Sequence, residues 1–387
     1  MAKTIKEQAH DLAPYIIGIR EDIHRHPEAS MQEFRTTDLI AAEMEKDGIP
    51  YRRLEPTGLI ADITGAYPGK RIALRADIDA LSITEKADVP FKSENPGLMH
   101  ACGHDTHTSM LLGAAKILVG MKDQLHGSVR LIFQPAEELA IGAKAVIAQG
   151  GLEGVDLIYG MHIFATVPAG TVLMREGAMC ACADMFKITI TGKACHGSMP
   201  ETGVDATVAA AALIMNLQTM VSRELSPMAP CVVTVGKVVS GSRFNICSGE
   251  AVLEGTCRCF DVEMHHKLPE IMERIAKKTA EAYRCTAELD FNMMCEVLVN
   301  DPASTELTRE AAKKVVKSPE LLVVGPMMMG AEDFAEYTTH CTATFSGLGG
   351  GGEYPQHSDY FCIDESALET GAALHAQVAV DYLEKNK

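Results

Sequence analysis

Cys-x-x-Cys pairs are missing from this 387-residue chain, although it carries 12 cysteines. That absence removes the closed zinc sites whose ligands arrive two by two along the sequence. Clusters of lysine and arginine are missing as well: 35 basic side chains stand against 52 acidic ones, a formal net charge of −17. A surface of that sign excludes non-specific binding to nucleic acid or to an anionic membrane. Long apolar runs are absent too. The most apolar stretch, Ala206 to Val221, is interrupted by Asn216 and Gln218 and falls short of the roughly 20 residues that cross a bilayer. The first twenty residues mix Lys3, Lys6, Glu7, Asp11 and Arg20 into an amphipathic pattern without the apolar segment of a signal peptide. Scattered cysteines without an export signal predict reduced thiols in a cytoplasmic protein, and Cys180, Cys182, Cys257 and Cys259 read as small core residues.

What is present is an ordinary globular composition, 47% hydrophobic and 22% charged, in a length that suits two or three domains. Apolar residues at helical spacing (Ile5, Ala9, Leu12, Ile16, Ile19, Ile23) predict a helix over 4–24, closed by His26-Pro27, and a second helix follows over 36–46. Strand, donor and helix then alternate. Strands are expected over 58–63 and 71–76, the second leading into Asp77-Ile-Asp79, and a helix over 108–122. A strand over 129–133 ends in Gln134-Pro-Ala-Glu137-Glu138, a helix covers 139–149, and a strand over 156–160 ends at Met161-His162. This order predicts an α/β fold with an open, mostly parallel sheet whose carboxyl edge carries the chemistry. From residue 184 the rhythm becomes strand 185–191, helix 205–223, strands 231–239 and 251–259, helix 262–283 and strand 286–293. That is the βαββαβ order of an inserted ferredoxin-like satellite. The expected domains are a catalytic, metal-binding domain over 1–183 and 296–387, interrupted by a satellite or dimerisation domain over 184–295. A helix over 304–316, a strand over 343–347 and a helix over 364–385 complete the catalytic part. The apolar stripe of helix 205–223 serves dimerisation or burial against its own sheet. Glycines 349–352 predict a loop whose backbone approaches a ligand or another chain.

Met99 to His107 concentrates Cys102, His104 and Asp105, with His100 and His107, in nine residues. Soft, borderline and hard donors together suit Zn, Mn, Co or Ni better than Ca or Mg. A buried cysteine beside hydrogen-bonded histidines explains the same stretch equally well. Gly103 allows a tight turn between the donors. Asp77, at a strand end, is a candidate ligand, a partner of a ligand, or a loop cap. Glu137-Glu138 taken alone reads as an acidic pair at a helix start.

In chain order, Met-His-Ala-Cys102-Gly-His104-Asp105, Phe-Gln-Pro-Ala-Glu137-Glu138, Gly-Met-His162, His196-Gly-Ser, Gly-Thr-Cys-Arg258, Ala-Glu332-Asp333-Phe and His357-Ser form a recurring set. The set resembles the dinuclear metallohydrolases that include hippurate hydrolase, N-acyl-amino-acid amidohydrolases and plant auxin-conjugate hydrolases, relatives of aminoacylase and certain carboxypeptidases. The likeness runs from His24-Arg-His26-Pro-Glu28 to the last helix. It implies two divalent ions (Mn, Zn, Co or Ni) sharing Cys102, with His104 and His162 on one and Glu138 and His357 on the other. Glu137 would be the general base toward a water bridging the two ions, which suits adjacent carboxylates that diverge in direction. His196 would donate a hydrogen bond to the developing oxyanion, in some members across a dimer interface, and a homodimer or higher oligomer is expected. Asn245 and Arg258 would grip the substrate's carbonyl or carboxylate. A turn or structural role is the plain alternative for each of these three. His24, His26, His100 and His107 are left to supporting roles.

Three departures bear on substrate. Leu139-Ala-Ile141 stands where relatives commonly carry glycines, Asn245-Ile-Cys247-Ser replaces Asn-Val-Ile-Pro, and Ala194-Cys195 replaces a glycine pair before His196. None removes a ligand or the base. The implied reaction is hydrolysis of the amide of an N-acyl-amino acid to a carboxylic acid and a free amino acid. The rivals are a dipeptidase or carboxypeptidase acting on peptides, and a metal-binding descendant without catalysis, which Glu137 disfavours because holding metal does not require it.

Overall fold

The computed structural model describes residues 3–387, and they form two compact units. The larger comprises Met1–Gly177, Val299–Pro326 and Glu336–Lys387, the smaller Ala178–Leu298 and Met327–Ala335. Segment 327–335, assigned from chain order to the second catalytic part, groups with the smaller unit. There Met328 N donates to Met179 O at 2.8 Å and Cys295 Sγ to Glu332 O at 3.2 Å.

The larger unit is built on an eight-stranded sheet. Its strands lie in the order Tyr51–Arg53, Leu59–Thr64, His126–Gln134, Tyr67–Asp77, Leu157–Phe164, Thr342–Gly349, Val172–Met174, Leu322–Val324. The four pairings that join Tyr67–Asp77 to both neighbours, Leu157–Phe164 to Thr342–Gly349, and the last two strands are parallel; the other three are antiparallel. The central strands are buried on both faces, which is why they read as continuous apolar runs (Ile72, Leu74, Leu131, Phe133, Tyr159, Met161). Helices Ile5–Arg25, His104–Met121 and Leu368–Lys385 pack against one another. The first opens with a capping box in which Thr4 and Glu7 bond each other's backbone.

Two local expectations are corrected, and a third gains a partner. The helix behind the donors starts at His104, not Thr108, because its first turn is polar yet buried, so the apolar periodicity sets in only later. The helix expected over 139–149 is a turn at Glu137–Leu139 followed by the helix Gly142–Ala148, since Ala140 adopts φ 55° and interrupts it. The glycines 349–352 approach their own chain: Gly350, Gly351 and Gly352 donate to the carbonyls of Phe164, Val167 and Ala165. A Cβ on Gly352 would stand 1.9 Å from Cys362 O.

The smaller unit carries a four-stranded antiparallel sheet in the order Cys231–Ser240, Glu250–Cys259, Ala183–Thr191, Thr286–Cys295. With helices Ala206–Thr219 and Val262–Ala282 it is the βαββαβ sandwich expected from the pattern. Helix Ala206–Thr219 buries Ala206, Ala209, Ala210, Leu213 and Leu217 and leaves Val208 and Met215 exposed. No helix among the described residues is long and apolar enough to cross a membrane.

Candidate metal centre

Strand register brings the donors of the larger unit to one level. Asp77 pairs with Gln134, and His162 with Gly347, at the carboxyl ends of parallel strands, the edge where open α/β sheets build their sites. Cys102 and His104 flank Gly103, whose φ of 97° only glycine adopts freely. A Cβ there would stand 2.4 Å from Ile163 Cγ2. Ala136 (φ 52°) and Ala140 (φ 55°) bracket Glu137-Glu138, and His357 itself has φ 65°. Left-handed backbone at non-glycine residues costs energy and tends to gather at functional sites.

Two donor sets share the Cys102 sulfur: Cys102, His104 and His162, and Cys102, Glu138 and His357. In each, the ligand atoms lie within 4.8 Å of one another. Cys102 Sγ is 3.2 Å from His162 Nε2. Glu138 Oε1 is 3.9 Å from His104 Nε2 and 3.6 Å from His357 Nε2. Neighbouring carbonyls and carboxylates fix the tautomers. His162 Nδ1 donates to Ile163 O at 2.6 Å, and His104 Nδ1 to Asp79, whose carbonyl lies at 2.9 Å and Oδ1 at 3.1 Å. Both rings therefore turn Nε2 toward the cluster, His162 with that nitrogen unprotonated; against burial, Asp77, Cys102 and Asp79 raise the His104 pKa well above its usual value.

Burial pushes the Cys102 thiol well above its ordinary pKa, with His104 pulling the other way, and burial likewise raises Glu138. Burial and the neighbouring His107 hold His162 well below its usual value, so it stays neutral and able to ligate. His104 Nε2 and Glu138 Oε1 are buried without a hydrogen-bond partner. Buried donors of this kind are costly unless a cation joins them, so the residues fit a pair of divalent ions.

Asp105, counted from the sequence among the donors, faces elsewhere. Its Oδ2 accepts from Arg20 Nε and His24 Nδ1, both at 2.8 Å. Asp77 is also committed, to Arg75 at 2.6 Å and to His107 Nδ1 at 2.5 Å, while His107 Nε2 accepts from Ile163 N. The residue that sequence reasoning passed over is Asp79. Besides His104, its carboxylate accepts from the backbone N–H groups of Glu137 and Glu138 at 3.2 and 3.1 Å, tying the two glutamates to His104. Its signal was faint: a second acid just past a strand end, where alternation no longer says which side chain faces the site.

The remaining candidates belong to the smaller unit. His196 pairs with Ile246 on a two-stranded ribbon, and Gly197 N donates to Asn245 O at 2.8 Å, so His196 and Asn245 are exposed neighbours. Ser198 donates to His196 Nδ1 through its N–H at 3.2 Å, which leaves the proton on Nε2. Arg258 is not with them. It stands eight residues beyond Glu250 on the strand Glu250–Cys259, ~26 Å from Glu250 at about 3.3 Å per residue; Glu250 pairs with Thr191 at the end of the sheet from which the chain runs on to the ribbon, and Arg258 Nη1 lies 3.4 Å from Cys182 O.

The family described as peptidase family M20/M25/M40 matches residues 73–381. The chain is 39% identical to an N-acetyl-L-cysteine deacetylase of Bacillus subtilis, covering 99% of this chain and 93% of that one. It is 37% identical to thermostable carboxypeptidase 1 of Saccharolobus solfataricus over the whole of both. Among solved structures, a dinuclear metal-binding peptidase of the M20 family from Bacillus subtilis superposes with a TM-score of 0.87 at 36% identity, over 97% of this chain and 99% of that one. The chain belongs to the M20/M25/M40 peptidase family and is a metal-dependent hydrolase.

Proposed function

We propose that the protein hydrolyses the amide bond of N-acyl-amino acids, with Cys102 shared between two cations, His104 and His162 completing one ligand set, and Glu138 and His357 the other. The observation that carries this reading is the sharing of one sulfur by two three-donor sets, with Glu137 next to the second. Two divalent cations, when bound, polarise the amide carbonyl and acidify water. Glu137 takes a proton from the attacking water and hands it to the leaving nitrogen as the C–N bond breaks. His196 donates through Nε2–H to the carbonyl oxygen as it gains charge, Asn245 assists it, and Arg258 receives the substrate carboxylate.

His196 and Asn245 lie at one end of the satellite sheet and Arg258 at the other, too far apart for one small substrate to touch all three within one unit. That separation supports a homodimer in which a second copy completes the set. So do the exposed Val232, Val238 and Val239 on the edge strand. A panel of N-acetyl, N-benzoyl and indole-acetyl amino acids beside dipeptides and longer peptides tests the substrate class; turnover of peptides alone would assign the chain to the carboxypeptidase side of its family. Sedimentation showing only monomer would remove the dimer.

A further inference from the structure

The smaller unit holds a second gathering of metal-ligating side chains. Cys182, just before the strand Ala183–Thr191, and Cys259, at the end of Glu250–Cys259, bring their sulfurs to 3.5 Å. Cys182 N donates to Cys259 O at 2.9 Å, fixing the two backbones together. Asp184 Oδ2 lies 3.6 Å from Cys182 Sγ, and Asp184 Oδ1 lies 2.8 Å from His265 Nε2. The ligand atoms of Cys182, Asp184 and His265 are all within 4.8 Å of one another. None of the four residues is more than 2% exposed.

We propose that Cys182, Cys259, Asp184 and His265 form a closed structural site for a thiophilic divalent cation, zinc before others. Two thiolates on a tetrahedral zinc, each about 2.3 Å from it, stand about 3.8 Å apart, close to the separation seen here. Two sulfurs, one nitrogen and one oxygen fill four positions and leave none for water, as a structural site requires. His265 Nδ1 lies 3.1 Å from Glu296, the carboxylate-to-histidine arrangement that orients a ligating ring. The spacing Cys-x-Asp and Cys-x5-His offers two short ligand pairs, which the sheet joins although no Cys-x-x-Cys exists.

Elemental analysis of full-length protein, expressed and purified without added metal, tests the site. One equivalent of zinc is expected to survive Cys102→Ala, which disables the candidate catalytic centre, and to be lost in Cys182→Ser/Cys259→Ser. In Cys102→Ala protein loaded with cobalt, thiolate-to-cobalt absorption in the near ultraviolet should persist. If the double serine variant does not fold, Asp184→Asn should still weaken zinc retention at least tenfold in a chelator titration. Cys102→Ala protein without zinc or the cobalt band would overturn the proposal. So would a Cys182–Cys259 disulfide, seen as two thiols missing from a denatured titration. Neither result bears on the amidohydrolase reading, which rests on the larger unit.

Discussion

In the larger unit, Cys102, His104, Glu138, His162 and His357 come from four separate segments, yet their donor atoms crowd around one sulfur. In the smaller unit, His196 and Asn245 stand exposed on a ribbon and Arg258 sits at the far end of the neighbouring sheet. Cys102 and His104 are buried, Glu138 and His162 half-buried, so they have already lost much of their water and an ion recovers that cost at once, while His357 closes the set from the exposed side. Exposed donors keep their water until a substrate or a second chain removes it. On the proposed reading, the first group holds ions and the second acts only in an assembled state.

Substitutions in the two groups should accordingly separate metal content from turnover. Cys102→Ala is expected to abolish activity and empty the centre, while Glu137→Gln keeps the metal and lowers kcat about 10²–10⁴-fold; elemental analysis beside steady-state kinetics reads both. Metal loss in Glu137→Gln would make that residue a ligand instead of the base. His196→Ala should cost about 10²–10³ in kcat with metal content and Tm unchanged, in keeping with a lost oxyanion donor. An unaltered rate would return His196 to a turn residue and narrow the contrast between the units.

Asp79→Asn should weaken metal affinity about 10–100-fold in a chelator competition, because His104 loses the carboxylate that orients it. His375 provides the internal control, a buried histidine of the larger unit outside the donor sets that share Cys102. Both its ring nitrogens lack a hydrogen-bond partner, and burial pushes its pKa down to about 3. The unfolded chain takes up this proton near pH 6.5 and the folded chain only near 3, so the stability contributed by neutral His375 is lost as pH falls below about 6.5. His375→Leu should flatten that acid limb, by about 2 kcal/mol at pH 5 relative to pH 8 in denaturant melts, and leave metal content unchanged.

Much of this was legible in the residues. The alternation of strand, donor and helix, and the βαββαβ order after it, are local periodicities, and local periodicity survives without knowledge of contacts. The motif run from Cys102 to His357 likewise named the side chains that the fold gathers around one sulfur. What failed did so where local pattern stops. Asp105 adjoins His104 in sequence, but on a helix successive side chains diverge by about 100°, so it points to Arg20 and His24 instead. Glycines 349–352 announced close approach without saying to what, and their own chain is one such neighbour.

The sequence by itself determined which donor types exist, in what order, and near which strand ends they fall. Only the tertiary structure decided that Asp79 steers His104, that Ala136 and Ala140 bend backward around Glu137-Glu138, and that Cys182 meets Cys259. The reason is physical: donors separated by tens to hundreds of residues are brought within ångströms by strand register and a few left-handed backbone positions, and neither leaves a periodic trace in the chain.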